Sequence, residues 1–225
     1  MSIANELSRI KNAQVDIKNL VKRKGVRIPI NDKIDTYGSY IEQISDEPIT
    51  QTRVIVYPIE STNYKKYELY KFTHIPLNFL NSNTEVQEVH INGTVVQWYN
   101  YAISNCENLE TVNIPNGSTY LRIYTLSDCP KLDNIHLPST LTTVASSVFK
   151  NSTGLKNVTV ASGYKADLPL GSAENLTLES LQNIITNYKS ASGKKLILHP
   201  TAYALAESNG LIETATAKGL TVAQA

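Results

Sequence analysis

Apolar and polar positions in the middle of the chain recur at a fixed step. Leu109, Val112 and Ile114 return 23 residues later as Leu132, Ile135 and Leu137, and once more as Leu155, Val158 and Val160. One step earlier the same places hold Val86, Val89 and Ile91. A second set of columns keeps the same step: Trp98, Leu121 and Val144, and Leu80, Ile103, Leu126 and Phe149. Within each copy two apolar residues lie two apart, so an extended strand turns both to one face and the residue between them to the other. Asn92-Gly93 and Asn116-Gly117 follow these strands, where a turn is needed and positive φ is cheap. One unit cannot bury its own apolar face, but stacked copies share a continuous core, with a ladder spacing of about 4.8 Å. The expected core is Leu109, Val112, Ile114, Leu132, Ile135, Leu137, Leu155, Val158 and Val160.

The ends follow other patterns. Ile3, Leu7, Ile10, Gln14, Ile17 and Val21 alternate four and three apart, a heptad seam with one polar interruption. Leu and Val at one seam position with Ile at the other favour more than two strands, so the expected state is a homotrimer or another small oligomer. Ser2 can cap this helix, and Lys22-Arg23-Lys24 before Gly25 suits its negative end. A second short helix is expected on Ile34, Tyr37, Ile41 and Ile44. Residues 47 to 52 read as a polar linker, and Arg53 to Tyr57 and Tyr67 to Phe72 as β-branched and aromatic strands. These strands do not fit the repeat columns and are expected to form an atypical edge over the open end of the core. Past Gly163 the register dissolves. Thr177 caps a predicted helix carrying Leu178, Leu181, Ile185 and Tyr188. A strand over residues 195–199 stopped by Pro200, a helical stretch interrupted at Asn209-Gly210, and a last strand over residues 220–222 complete a closing α/β cap. The predicted organisation is therefore a helical anchoring segment (1–46), a linker with edge strands (47–79), four repeats (80–171) and a C-terminal α/β cap (172–225).

The units Asn105-Cys106-x-x-Leu109-x-x-Val112-x-Ile114-Pro115 and Asp128-Cys129-x-x-Leu132-x-x-Ile135-x-Leu137-Pro138 resemble BspA-type leucine-rich repeats. That family is common in bacterial surface proteins and in some structural proteins of tailed bacteriophages. The third unit departs from the motif with Ser152 in the cysteine column and Ala161 in the proline column. The opening segment, Ile10-Lys11 through Ile17 to Lys24-Gly25-Val26 and then Ile34-Asp35-x-Tyr37, is similar to the start of many phage virion proteins. The closing segment resembles the end of the same proteins, through Leu176-Thr177-x-Glu179-Ser180-Leu181, Leu196-x-Leu198 and Lys218-Gly219-Leu220-Thr221-Val222. The resemblance implies a mainly β fold, a short leucine-rich-repeat β-solenoid between a helical segment and an α/β cap.

Composition narrows the function classes. A net charge of +1 gives no bulk attraction to nucleic acid or anionic membranes, and no apolar run reaches the length of a membrane span. The first 24 residues lack the apolar centre of a secretory signal, so the chain is expected to act where it is made or to leave within a larger particle. Cys106 and Cys129 share a column and read as buried small residues, not a disulfide. His90, Asn113, His136 and Thr159 form an outward column, expected to be part of the exposed strand face; two ladder steps, about 10 Å, are too long for a shared metal. His74 and His199 have no ligand at metal spacing. Five Asn-x-Ser/Thr triplets, at Asn92, Asn116, Asn151, Asn157 and Asn175, read as turn chemistry. Tyr101 and Tyr124 share a column that serves packing and surface contact equally well. No catalytic residue, cofactor or metal site is expected.

Together these readings predict a non-enzymatic virion structural protein of a tailed phage, made in the host cytoplasm. It is expected to be an exposed fibre, decoration or tail-attachment component held to other virion proteins by its N-terminal segment. Its partners would include a host-surface protein or carbohydrate. The alternative is a bacterial cell-surface adhesin or interaction protein of the same repeat type.

Overall fold

A computed structural model describes residues 53–58, 63, 65–189 and 193–225. The chain divides into two compact units, residues 1–55 and 56–225. The heptad seam, the second helix and the linker lie outside the described residues.

The second unit is rich in parallel strands. Its strands are β1 (Arg53–Pro58, which begins before the unit boundary), β2 (Lys65–Tyr70), β3 (His74–Ile75), β4 (Val86–Asn92), β5 (Gln97–Trp98), β6 (Thr111–Asn113), β7 (Tyr120–Leu121), β8 (Asn134–Leu137), β9 (Thr143–Val144), β10 (Asn157–Val160) and β11 (Leu168–Leu170). They are followed by α1 (Leu178–Asn187), β12 (Lys195–Leu198), α2 (Pro200–Ser208), α3 (Leu211–Ala217) and β13 (Thr221–Gln224). A main sheet runs β1-β2-β4-β6-β8-β10, a second runs β3-β5-β7-β9, and a third runs β11-β12-β13. Successive repeats meet at the sequence step itself: Val112 pairs with Ile135 and Ile135 with Val158, and Trp98 with Leu121 and Leu121 with Val144. The corner after the second sheet is laddered too. The N–H groups of Tyr101, Ile103 and Asn105 donate to the carbonyls of Ile123, Thr125 and Ser127 in the next repeat. The backbone polar groups of these turns are thereby paired without regular secondary structure.

Inside, the nine predicted core residues are at most 4% exposed. They join one cluster that runs from Leu69 to Leu220. Each fully buried Leu or Ile is worth roughly 1.5–3 kcal/mol relative to exposure.

Two expectations are corrected. β2 is not outside the columns: Tyr67 pairs with Val89 and Leu69 with Ile91, a step of 22, with an irregularity between Lys65 and Lys66. Ile75 likewise pairs with Trp98 and opens the second column set. The step of 22 takes β2 out of the 23-residue register, whereas Ile75 stands at the full step of 23 before Trp98.

The second correction concerns the other end. Beyond β10 the period persists while the element changes type: Leu178 and Leu181 follow Leu155 and Val158 at the same step, but on a helix. Thr177 caps α1 by accepting from Ser180 N–H, and Leu181, Ile184 and Ile185 are buried. The helix then satisfies the open edge of β10. Ser180 Oγ accepts from Val158 N–H at 3.0 Å and donates to Lys156 C=O at 2.8 Å, while Asn183 Oδ1 accepts from Val160 N–H at 2.9 Å. An unpaired strand edge is a template for association, and these side chains blunt it. Further on, Pro200 opens α2 at its first turn, where its missing N–H costs nothing. Asn209 and Gly210 separate α2 from α3, and Gly210 takes a φ of 69°.

Candidate functional site

The repeat offers two exposed flanks. The first is the outer face of the main sheet. His90, Asn113, His136 and Thr159 fall on outward positions of β4, β6, β8 and β10, with Asn113 and His136 exposed and His90 and Thr159 half-buried. His136 Nδ1 lies 2.9 Å from Thr159 Oγ1, and His90 Nε2 lies 3.3 Å from Glu88 Oε2. Asn113 is turned onto the backbone of Ile91, accepting from its N–H at 2.6 Å and donating to its C=O at 3.2 Å. Of the four, only His136 and Thr159 bond to each other across the ladder; His90 pairs within its own strand and Asn113 with neighbouring backbone. Among the described residues no group of three or more histidine, cysteine or carboxylate side chains could hold a metal ion.

The second flank is the corner after the second sheet, where residues 99–101 stack on residues 122–124. Tyr101 and Tyr124 are parallel, with centroids 4.9 Å apart. The Arg122 guanidinium lies 5.0 Å from the centre of the Tyr99 ring and 4.9 Å from that of Tyr120. His74 meets Tyr99 edge-on at 5.7 Å, and Lys150 sits 5.8 Å over Tyr124. Both stacked tyrosines adopt positive φ, 54° and 58°. Ile123 and Leu77, in one column with Asn100 between them, are 43% and 58% exposed. Sequence reasoning picked out the Tyr101–Tyr124 column but not the arginine between its neighbours. Comparing the triplets 99–101, 122–124 and 145–147 across repeats was the available signal.

The cysteine column is structural. The Cys106, Cys129 and Ser152 side chains donate to the carbonyls of Leu80, Ile103 and Leu126, each 26 residues back. Serine therefore replaces cysteine in the third unit with the hydrogen bond kept. Both thiols are free and buried. The neighbouring Cys106 thiol, together with burial, pushes the Cys129 thiol well above its usual range, and Cys129 in turn lowers Cys106. His199 is accounted for as well: its Nδ1 accepts from Thr201 N–H at the start of α2. Tyr164 and Tyr188 pack edge-to-face in the closing region, and burial raises both phenols, with the nearby Asp167 carboxylate adding to it. Glu110, Asp133 and Lys156 line a groove of about 360 Å³.

These features place the repeat stretch in a known class. Residues 59–166 match the BspA type leucine rich repeat region, in six copies. The match begins near β2, the copy whose step is shortened, and supports the leucine-rich-repeat family for this stretch, a little under half of the chain. No curated protein and no solved structure matches the chain. Among the described residues no helix is long and apolar enough to cross a membrane.

Proposed function

We propose that the chain is a non-enzymatic surface or interaction protein built on a leucine-rich-repeat solenoid. In our reading it is an exposed structural component of a tailed-phage particle, a fibre, decoration or tail-attachment protein. The interaction role is carried by one observation: the two exposed flanks are regular, while the interior is filled by the ladder columns and leaves the stack broad display surfaces. The particle assignment rests on the resemblance of the opening and closing segments to phage virion proteins. The helical segment then serves as the anchor to other virion proteins and, through Ile3, Leu7, Ile10, Gln14, Ile17 and Val21, as an oligomer seam.

Two measurements test this. Cryo-electron microscopy and mass spectrometry of purified particles should find the protein on the outside; absence from the particle, or a place sealed inside the capsid, sinks the assignment. Light scattering should give a trimer or other small oligomer for the full chain and a monomer once residues 1–46 are removed. The cell-surface adhesin reading draws on the same repeat type and would be favoured by surface labelling of intact bacteria.

A further inference from the structure

We propose that the corner formed by residues 99–101 and 122–124 is a docking surface for a protein segment that presents a carboxylate between apolar side chains. The inference does not depend on the particle assignment, since it concerns what this corner recognises wherever the protein resides.

The charge comes first. Arg122 Nε is buried without a hydrogen-bond partner, and no carboxylate pairs with Arg122 or Lys150 among the described residues. The nearest acid along the chain, Asp128, already accepts from Asn151 Nδ2 at 2.8 Å. Two tyrosine rings flank the guanidinium, and such contacts restrict the side chain, which favours recognition of a carboxylate.

The apolar surroundings decide the kind of partner. Ile123, next along the chain, exposes aliphatic carbon beside the arginine, Leu77 does so two ladder steps away in the same column, and Tyr and Arg are enriched at protein hot spots. A saccharide would want open aromatic faces. Here Tyr101 and Tyr124 spend a face on each other, and Tyr99 and Tyr120 spend theirs on Arg122. A groove of about 300 Å³ lined by Ser146, Phe149, Lys150 and Ile197 shares Lys150 with this corner, the lysine that sits over the Tyr124 ring.

Backbone strain gives an independent argument. Tyr101 and Tyr124 occupy left-handed conformations that asparagine or glycine would hold more cheaply, and asparagine does so at Asn78, one step back in the same column. Bulky residues kept at such positions point to a use other than folding. The next repeat has Ala145, Ser146 and Ser147 in the same three columns, so the chemistry is confined to this corner.

The test uses the full chain and a random peptide library displayed on mRNA. Recovered peptides are expected to share an Asp or Glu flanked by aliphatic or aromatic residues. A synthetic winner, titrated by fluorescence anisotropy, should bind Arg122→Gln and Ile123→Ser at least about tenfold more weakly, the scale of a hot-spot truncation. Tyr101→Asn should lose binding while its melting temperature stays within about 3 °C of the parent, because the backbone relaxes as the ring stack is lost. A parallel titration uses hyaluronate, a carboxylated polysaccharide. The proposal is overturned if no peptide is enriched, if the winners lack an acidic position, if Arg122→Gln binds as the parent does, or if hyaluronate binds this corner and peptides do not. Absence from particles would leave this surface standing, and failure of peptide binding would leave the particle assignment standing.

Discussion

On the outer strand face, successive repeats present His90, Asn113, His136 and Thr159; at the corner, successive repeats present Tyr99, Arg122 and Ala145, then Tyr101, Tyr124 and Ser147. Both flanks rest on the same buried columns and the same parallel ladder. The strand face closes on itself, each polar side chain hydrogen-bonded to a neighbour or to backbone. The corner does not: among the described residues it leaves a cation without a counter-charge, and it leaves aliphatic carbon in water. The repeat dictates what points inward and leaves the outside free, so differences between outer columns are where function can be read.

The largest expected effect lies beneath both flanks. Leu132 is fully buried, and Leu132→Asp would place an unpaired carboxylate in the shared core. A loss of roughly 3–5 kcal/mol follows, enough to unfold a marginal domain. Urea unfolding followed by circular dichroism measures it. A variant as stable as the parent would mean that the inward columns are misassigned and that the contrast between the flanks has no common base.

The end of the ladder comes next. Ser180→Ala strands Val158 N–H, while Lys156 C=O keeps its bond from Thr177 N–H, and Asn183→Ala strands Val160 N–H. Each should cost about 1–3 kcal/mol. The double variant should also associate through the uncovered β10 edge, visible as a concentration-dependent mass in light scattering. If both stay monodisperse and stable, α1 is not what closes the main sheet.

How much of this was legible depends on what each residue answers to. Val112, Ile135 and Val158 answer only to the core, so their spacing declares them. Leu69 answers to the same core, but a step of 22 takes it out of the 23-residue register. Leu178 and Leu181 kept the period, yet the change from strand to helix turned Ser180 and Asn183, which look like ordinary surface residues, into hydrogen-bond partners for an open edge. Arg122 was least legible. A single arginine says nothing until the register sets it between Tyr99 and Tyr120, and that register comes from backbone bonds such as Arg122 N–H to Trp98 C=O.

Alkaline pH probes the closing region apart from the repeats. Tyr164 and Tyr188 have phenols raised above the exposed value by burial, then by neighbouring charge. Below about pH 10 neither state ionises, and the contribution is fully present. Above it the unfolded chain releases protons that the folded chain keeps, so stability falls as pH rises. Thermal melts should be flat with respect to these groups up to about pH 10 and decline beyond it. Tyr188→Phe, which gives up a 2.8 Å bond to Ala166 C=O, should lower stability near neutrality and flatten that decline. An unchanged slope would assign the alkaline loss to other groups.

The smallest effect is expected on the strand face, and it sharpens the contrast most. His136 is exposed and shares a hydrogen bond with Thr159 across one ladder step. Asparagine already stands one repeat back in the same column, at Asn113, so His136→Asn asks only for a polar side chain on a flat surface. The change in stability should lie within about 0.5 kcal/mol, the usual range for a surface site away from caps and cores. The same variant should bind any corner-selected peptide as the parent does, because none of the ring or charge contacts of residues 99–101 and 122–124 involves it. Run beside Arg122→Gln, it separates a general loss of surface polarity from loss of one cation. If His136→Asn weakens the peptide as much as Arg122→Gln does, recognition belongs to the strand face, and the distinction drawn between the two flanks is wrong.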